Sequence, residues 1–339
     1  MSSVPPRKST DSKRKLFLLY YRPMPHSNPQ PAAPVTPPHN PTLLHRWLRG
    51  AVAGTLSLLP PSTPRFIYTV LLKWRPLRSA ANSVLRAMIP PSITIPEGQI
   101  ILNPDDPVVS GALMLGVHEP TFRRYFTAAI TPGMTVLDIG ANIGYYTLIA
   151  STRVGPAGTV IAFEPEQANG SILRRMIDAN SLRNVHVSAV AIGAGDAKAI
   201  LYLDPNNKGK HTLLPTQGNE TVSVETRTLP DALEPFHPGA VHLIKMDIEG
   251  WEGKAFLGMH ELLLRDRPEL FFEFAPVRIK KTGEDPMLIL SRLRDLGYTL
   301  FEISEQHGKE ILIDDLTEFT LRFVAYDDYA DIHARPHQS

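Results

Sequence analysis

Apolar residues change their spacing twice along this chain, and each change marks a boundary. Thr42–Leu59 carries Leu43, Leu44, Trp47, Leu48 and Val52 at helical spacing, with Thr42 placed to cap it and Pro60–Pro61 to stop it. Further helices are predicted at Phe66–Trp74 and Leu77–Met88, and short strands at Ile93–Ile95 and Gln99–Leu102 around the turn Pro96–Gly98. Thr121–Ile130 reads as a helix ending in the turn Thr131–Gly133. From Met134 the pattern alternates. Strands are expected at Thr135–Ile139, Thr159–Phe163, Val185–Ile192, Val241–Met246 and Glu269–Phe274, with helices at Tyr145–Arg153, Glu166–Asn180, Leu229–Phe236, Glu252–Leu264 and Pro286–Leu296. Ala199–Leu203 and Thr221–Thr226 form an antiparallel insertion. Tyr298–Ile303, Ile311–Ile313 and Phe319–Ala325 close the chain as strands without helices between them. Strand–helix alternation implies an α/β, doubly wound, mostly parallel sheet with helices on both faces. The last strands must then run antiparallel.

This pattern divides the chain into a proline-rich arm (1–41), a helical extension (42–92), the α/β domain (93–326) and a flexible tail (327–339). Ten of the first 41 residues are proline, which supplies no N–H and fixes φ, so the arm is read as disordered. Six basic residues within 1–22 face one acid, and the apolar run Leu16–Tyr21 is too short for a secretory signal. The expected location is therefore cytoplasmic, with peripheral membrane contact through the basic N-terminal helices as a further reading. Such helices more often pack on the next domain, and that is the leading reading here. The 339 residues include no cysteine, which excludes disulfides, thiolate metal sites and cysteine nucleophiles. A formal net charge of +1 gives no field suited to nucleic acid.

Candidate chemistry lies after the strands. Val136–Thr147 runs from buried strand to helix through Gly140-Ala141-Asn142-Ile143-Gly144. Gly140 lets the backbone turn and a ligand approach, and Gly144 allows tight helix packing on the strand. A dinucleotide loop needs glycine where Asn142 stands. Asp138 would repel a diphosphate but suits an ammonium, so the loop favours S-adenosylmethionine over a nicotinamide cofactor. Glu164 ends the second strand, where a carboxylate can accept both ribose hydroxyls, and Pro165 opens the next helix. Asp247, Glu249 and Glu273 follow later strands. Such acids can serve as a general base or touch substrate, bind a divalent cation, or cap a helix and pair with Lys245 or Arg278. His211, in the Asn206–His211 loop expected at the substrate mouth, is a further candidate base.

The blocks Gly116-Val117-His118-Glu119-Pro120, Leu137–Thr147, Phe163-Glu164-Pro165, Ala191-Ile192-Gly193, Ile244–Gly250 and Glu273 together resemble the FkbM family of class I methyltransferases. The resemblance spans about residues 94–325 and implies a Rossmann-like sheet with a reversed last hairpin. It implies S-adenosyl-L-methionine as cofactor and O-methylation of a hydroxyl on a sugar, polyketide or other natural product. Asp138, Gly140, Asn142 and Glu164 would surround the cofactor, together with Ala141, Gly144, Tyr145, Pro165 and Asp247. Glu119 would close the site, and Val190 and Ala191 would lie near adenine. Family members carry an acid directly after the Ala-x-Gly turn; here Ala194 and Gly195 precede Asp196. The rival readings are a noncatalytic S-adenosylmethionine-binding protein and a nicotinamide oxidoreductase. A nucleic-acid methyltransferase is disfavoured, because Asp247-Ile248-Glu249-Gly250 offers acid where an Asn/Asp-Pro-Pro-aromatic signature would stand. No metal is called for.

Overall fold

The computed structural model describes residues 86–205 and 207–337. The expected arm and the helices at Thr42–Leu59 and Phe66–Trp74 lie outside these residues, as does most of Leu77–Met88, of which 86–88 are helical. A hairpin, β1 (Ser92–Ile95) and β2 (Gly98–Ile101), leads through the helices α1 (Val109–Met114) and α2 (Pro120–Ala129) to the α/β domain. There β3 (Thr135–Ile139), α3 (Tyr145–Val154), β4 (Thr159–Phe163), α4 (Gln167–Ala179) and β5 (Val185–Ser188) follow in order. A small sheet of β6 (Ala191–Ile192), β7 (Ala197–Leu203) and β8 (Glu220–Arg227) comes next, then helix α5 (Leu229–Leu233). The chain returns through β9 (Leu243–Met246), helices α6 (Glu252–Gly258) and α7 (His260–Asp266), and β10 (Glu269–Phe274). It ends with α8 (Pro276–Lys281), α9 (Pro286–Asp295), β11 (Tyr298–Ser304), β12 (Lys309–Leu312), α10 (Leu316–Leu321) and β13 (Ala330–Pro336).

The large sheet has the order β12-β11-β13-β10-β9-β3-β4-β5. The strands β5, β4, β3, β9 and β10 are mutually parallel, whereas β13, β11 and β12 alternate in direction beyond them. Strand β3 is buried at every position, as expected of a central strand covered on both faces. From β3 the chain winds outward to β5 and then recrosses to β9 on the other side. The strand order therefore reverses between β3 and β9, and a crevice opens beyond their carboxyl ends.

Four expectations are corrected. The run Val185–Ile192 is two strands in different sheets, because β6 leaves β4's neighbour to pair with Thr226 and Arg227. The helix Glu252–Leu264 breaks near Met259, where Gly258 passes so close to Gly193 that a Cβ would lie 1.9 Å from its carbonyl oxygen. Phe319–Ala325 is not a strand. Asp315 caps α10 by accepting from Thr317 N and Glu318 N, and Phe319, which stacks on Phe274, meets Phe323, four residues on, edge to face. The segment taken as a flexible tail contains β13, inserted between β10 and β11. Its apolar content is low and it buries a histidine, His333, whose two ring nitrogens meet Glu269 and Glu310. Those partners lie 64 and 23 residues away, beyond any local pattern. The helices α1 and α8 carry no periodicity long enough to announce them.

Candidate active site

The crevice at the strand reversal is a cavity of roughly 420 Å³, a size suited to a small-molecule ligand. Four segments build its floor: the loop after β3, the turn Glu164–Pro165 after β4, Val190–Ile192, and the turn Asp247–Trp251 after β9. His118 and Glu119 close one side, and the 207–211 loop with Tyr329 forms the rim.

The glycine loop folds as a backbone contact. Gly140 has φ +77°, and a Cβ there would lie 1.9 Å from the Asp247 carbonyl oxygen. The two turns at the reversal are thus pressed together, and only glycine permits it. Asn142 also sits in the left-handed region, at φ 50°, and its buried Oδ1 has no hydrogen-bond partner among the described residues. Gly144 (φ +94°) packs against Leu173 and Met176 of α4 rather than against the strand, and it does not line the cavity.

Asp138 is a second correction within this loop. It lies fully buried beneath the cavity and lines none of it, accepting from Thr147 Oγ1 at 2.6 Å and pairing with Lys245 Nζ at 3.3 Å. Lys245 in turn donates to the Gly140 carbonyl at 2.9 Å. Burial opposes the Lys245 charge, but Asp138 and Asp247 outweigh it and hold its pKa above the ordinary lysine value. Asp138 therefore anchors the loop through lysine, with its charge already met. The argument that it awaits a ligand ammonium does not hold here.

Glu164 lines the cavity at the end of β4. Its two oxygens accept Asn142 N (2.8 Å) and Glu166 N (2.9 Å), which aims the carboxylate into the cavity mouth with lone pairs to spare. Burial pushes its pKa up to about 7, against the pull of those two N–H groups. Pro165, Ala141, Tyr145, Val190 and Ala191 all line the cavity. Asp196 does not; it accepts from Thr228 N at the far end of the small sheet. Glu119 caps α2 in the left-handed region (φ 40°) and receives the Tyr146 hydroxyl at 2.7 Å. Such a backbone is rare for a non-glycine residue and is retained where surrounding contacts enforce it.

The candidate bases separate sharply. Asp247, Glu249 and Glu273 are brought within 4.8 Å of one another. Glu249 and Glu273, however, both bond the buried guanidinium of Arg278, from Nη1 and Nη2 respectively. They are the arginine's counter-ions, one of the roles their sequence left open. Asp247 keeps a buried Oδ1 without a hydrogen-bond partner among the described residues, and it lines the cavity. Burial raises its pKa, with Lys245 pulling the other way. Helix capping falls instead to Glu252, which accepts from Ile248 N and Gly250 N. His211 lines the rim, but its Nδ1 accepts the Asp204 N–H at 3.0 Å. The proton of the neutral ring then sits on Nε2, so His211 presents a donor to the cavity. Burial pulls its pKa down to about 4, which removes it from the bases.

Sequence reasoning passed over several lining residues as site members, among them His118, Trp251, Lys245 and Tyr329. His118 stands inside a quoted motif block and Trp251 directly after another, where neighbours to an acid could have flagged them. Lys245 was named only as a counter-ion. Tyr329 sits in the segment read as tail and carried no signal.

Part of the chain is similar to known methyltransferases. Residues 138–300 match the family model of the methyltransferase FkbM domain. Methyltransferase 1 of Beauveria bassiana (strain ARSEF 2860) is 26% identical over 167 residues, covering 43% of this chain and 67% of that protein. Methyltransferase FkbM from Methylobacillus flagellatus KT superposes with a TM-score of 0.37 at 16% identity, covering 76% of this chain and 59% of that one. Cofactor-bound Rv0187 from MTB gives a TM-score of 0.37 at 12% identity, covering 83% and 99%. The cavity suits S-adenosylmethionine as cofactor: Glu164 offers the acceptor a ribose diol needs. The match over residues 138–300 makes that stretch of the chain similar to the methyltransferase FkbM domain.

Proposed function

We propose that this methyltransferase O-methylates a hydroxyl group on a sugar or another natural-product small molecule, with Asp247 as the group that takes the hydroxyl proton. The observation that carries this reading is the Asp247 carboxylate. It lines the cavity and takes no part in the ion pairs that tie Glu249 and Glu273 to Arg278, nor in a backbone bond like that of His211 Nδ1. Bound in the cavity, S-adenosylmethionine supplies an electrophilic methyl group. Glu164 would hold the ribose, Gly140, Ala141, Asn142 and Tyr145 the amino-acid end, and Pro165, Val190 and Ala191 the base, with Glu119 closing over them. Asp247 accepts a hydrogen bond from the acceptor hydroxyl, orients it, and receives its proton as the oxygen becomes a nucleophile. Its raised pKa brings it nearer to a working pH and strengthens it as an acceptor. Arg278 fixes Glu249 and Glu273, and so keeps the Asp247 turn rigid.

The test is a panel of sugar, polyketide and phenolic alcohols beside amines, with formation of S-adenosylhomocysteine as readout. Alcohols are the expected acceptors. Asp247→Asn should lower turnover by about 10²–10⁴-fold while retaining cofactor binding. Methylation confined to amines, or a fully active Asp247→Asn, sinks the proposal.

A further inference from the structure

The rim loop between β7 and β8 is fixed at its base and bonded to itself at its tip. At the base, Tyr202 and Thr212 exchange backbone hydrogen bonds of 2.8 and 3.1 Å, and Asp204 N donates to His211 Nδ1. At the tip, Asn207 N donates to Asp204 Oδ1 at 2.9 Å, Gly209 N to Asn207 Oδ1 at 3.0 Å, and Lys210 N to the Asn207 carbonyl at 2.9 Å. Residues 207–210 are thereby shaped by bonds within the loop. They line the cavity and lie over the glycine loop: a Cβ on Gly209 would sit 3.4 Å from Asn142 Nδ2 and 2.7 Å from Val109 Cγ2.

Polar ties hold this tip to the domain. The Lys208 N–H bonds the Asp106 carboxylate, the Lys208 carbonyl accepts from Asn169 Nδ2 at 3.1 Å, and Lys210 Nζ meets Asp327 Oδ1 at 3.3 Å. The last tie reaches the turn that leads to Tyr329 on the rim. That turn is held separately: Asp328 accepts from Val324 N and Ala325 N, and Lys281 Nζ lies 4.3 Å from the Tyr326 ring centre. The Asp327 side chain is 80% exposed, so its pair with Lys210 is weak and screened by salt, and it fastens the tip without locking it. A segment secured by polar ties rather than by buried apolar side chains opens locally at low cost. A cofactor whose amino-acid end rests on the glycine loop lies beneath Gly209 and is released when the tip lifts. We propose that residues 207–210 form a lid over the glycine-loop end of the cavity, and that the Lys210–Asp327 pair is the latch that sets how fast cofactor enters and S-adenosylhomocysteine leaves. The inference rests on the methyltransferase reading above, in which lid opening controls exchange of the ligand rather than the chemistry.

The chain has no cysteine, so a Lys210→Cys/Asp327→Cys protein carries the two new thiols and no others. A short bis-maleimide should bridge them, and capping with N-ethylmaleimide gives the same chemistry without a bridge. Bridged after loading, the protein should release radiolabelled S-adenosylhomocysteine at least about tenfold more slowly than the capped protein, and bridged while empty it should capture the ligand more slowly by a similar factor. Asp327→Asn removes the charge at an exposed position and should speed release about two- to fivefold, and added salt should speed wild-type release toward that of the variant. Bridged and capped proteins that exchange ligand equally fast overturn the lid and leave the methyltransferase reading standing. Thiols that fail to bridge do the same, since the two positions are then not neighbours. Release from Asp327→Asn at the wild-type rate overturns the latch. Folded wild-type protein that binds no S-adenosylhomocysteine overturns both the lid and the reading beneath it.

Discussion

Replacing Glu164 with glutamine changes one atom and isolates the carboxylate's role. In the native protein both Glu164 oxygens accept a backbone N–H, from Asn142 at 2.8 Å and Glu166 at 2.9 Å. Glutamine has one oxygen, so its NH₂ must face one of these N–H groups, donor against donor. One charge-assisted bond to the ribose is lost or weakened as well, a loss of about 1.5–3 kcal/mol, or roughly ten- to 150-fold in cofactor affinity. The pH dependence gives a second readout. Glu164 rises from its ordinary 4.5 to about 7 on folding. The folded state therefore holds this proton more tightly than the unfolded chain. The associated stability is complete below about pH 4.5 and is lost as pH rises through 7, by about 3 kcal/mol at about 1.4 kcal/mol per unit. Ribose hydroxyls are donors and select the ionised form, so affinity should climb as pH rises toward 7 and level off above it. Calorimetric titration of S-adenosylhomocysteine between pH 5.5 and 8.5 measures both effects, with thermal unfolding as the control for fold. Glu164→Gln should show a flat, weaker profile. Wild-type affinity that falls with rising pH, or a folded Glu164→Gln that binds as wild type does at pH 8, refutes the reasoning.

Gly140→Ala should destabilise the protein by at least about 2 kcal/mol in urea unfolding, since alanine pays for a left-handed backbone and its Cβ meets the Asp247 carbonyl at 1.9 Å. Arg278→Leu strands Glu249 and Glu273 without their counter-ion and should cost about 3–5 kcal/mol at pH 8. The penalty should shrink as pH falls, because burial already raises the Glu273 pKa and a protonated carboxyl needs no partner. Adding Glu249→Gln and Glu273→Gln should recover most of that loss, and a triple variant no more stable than Arg278→Leu would contradict the ion-pair account.

Local pattern and motif spacing carried much of the site. β3, β4 and β10 begin and end where their apolar runs do, and the turn after β4 holds Glu164 in the cavity as its position implied. These features depend on residues close in sequence, where a side-chain period or a helix-opening proline acts directly. The charges were a different matter. Asp138, Asp247, Glu249 and Glu273 looked alike as acids after strands. Their roles diverged because Lys245 and Arg278 reach two of the turns from elsewhere, spending Asp138, Glu249 and Glu273 on ion pairs and leaving Asp247 toward the cavity. His211 lost its role as a base to a single backbone N–H seven residues away. At the other end of the sheet, β13 took a central place because His333 finds carboxylates on β10 and β12. By itself, then, the sequence determined the α/β succession and the glycine loop between β3 and α3. The tertiary structure decided which ionisable groups remain free for chemistry, because a buried charge is set by its partners, and the fold picks those partners whether they lie five residues away, as Arg278 does from Glu273, or 29, as it does from Glu249.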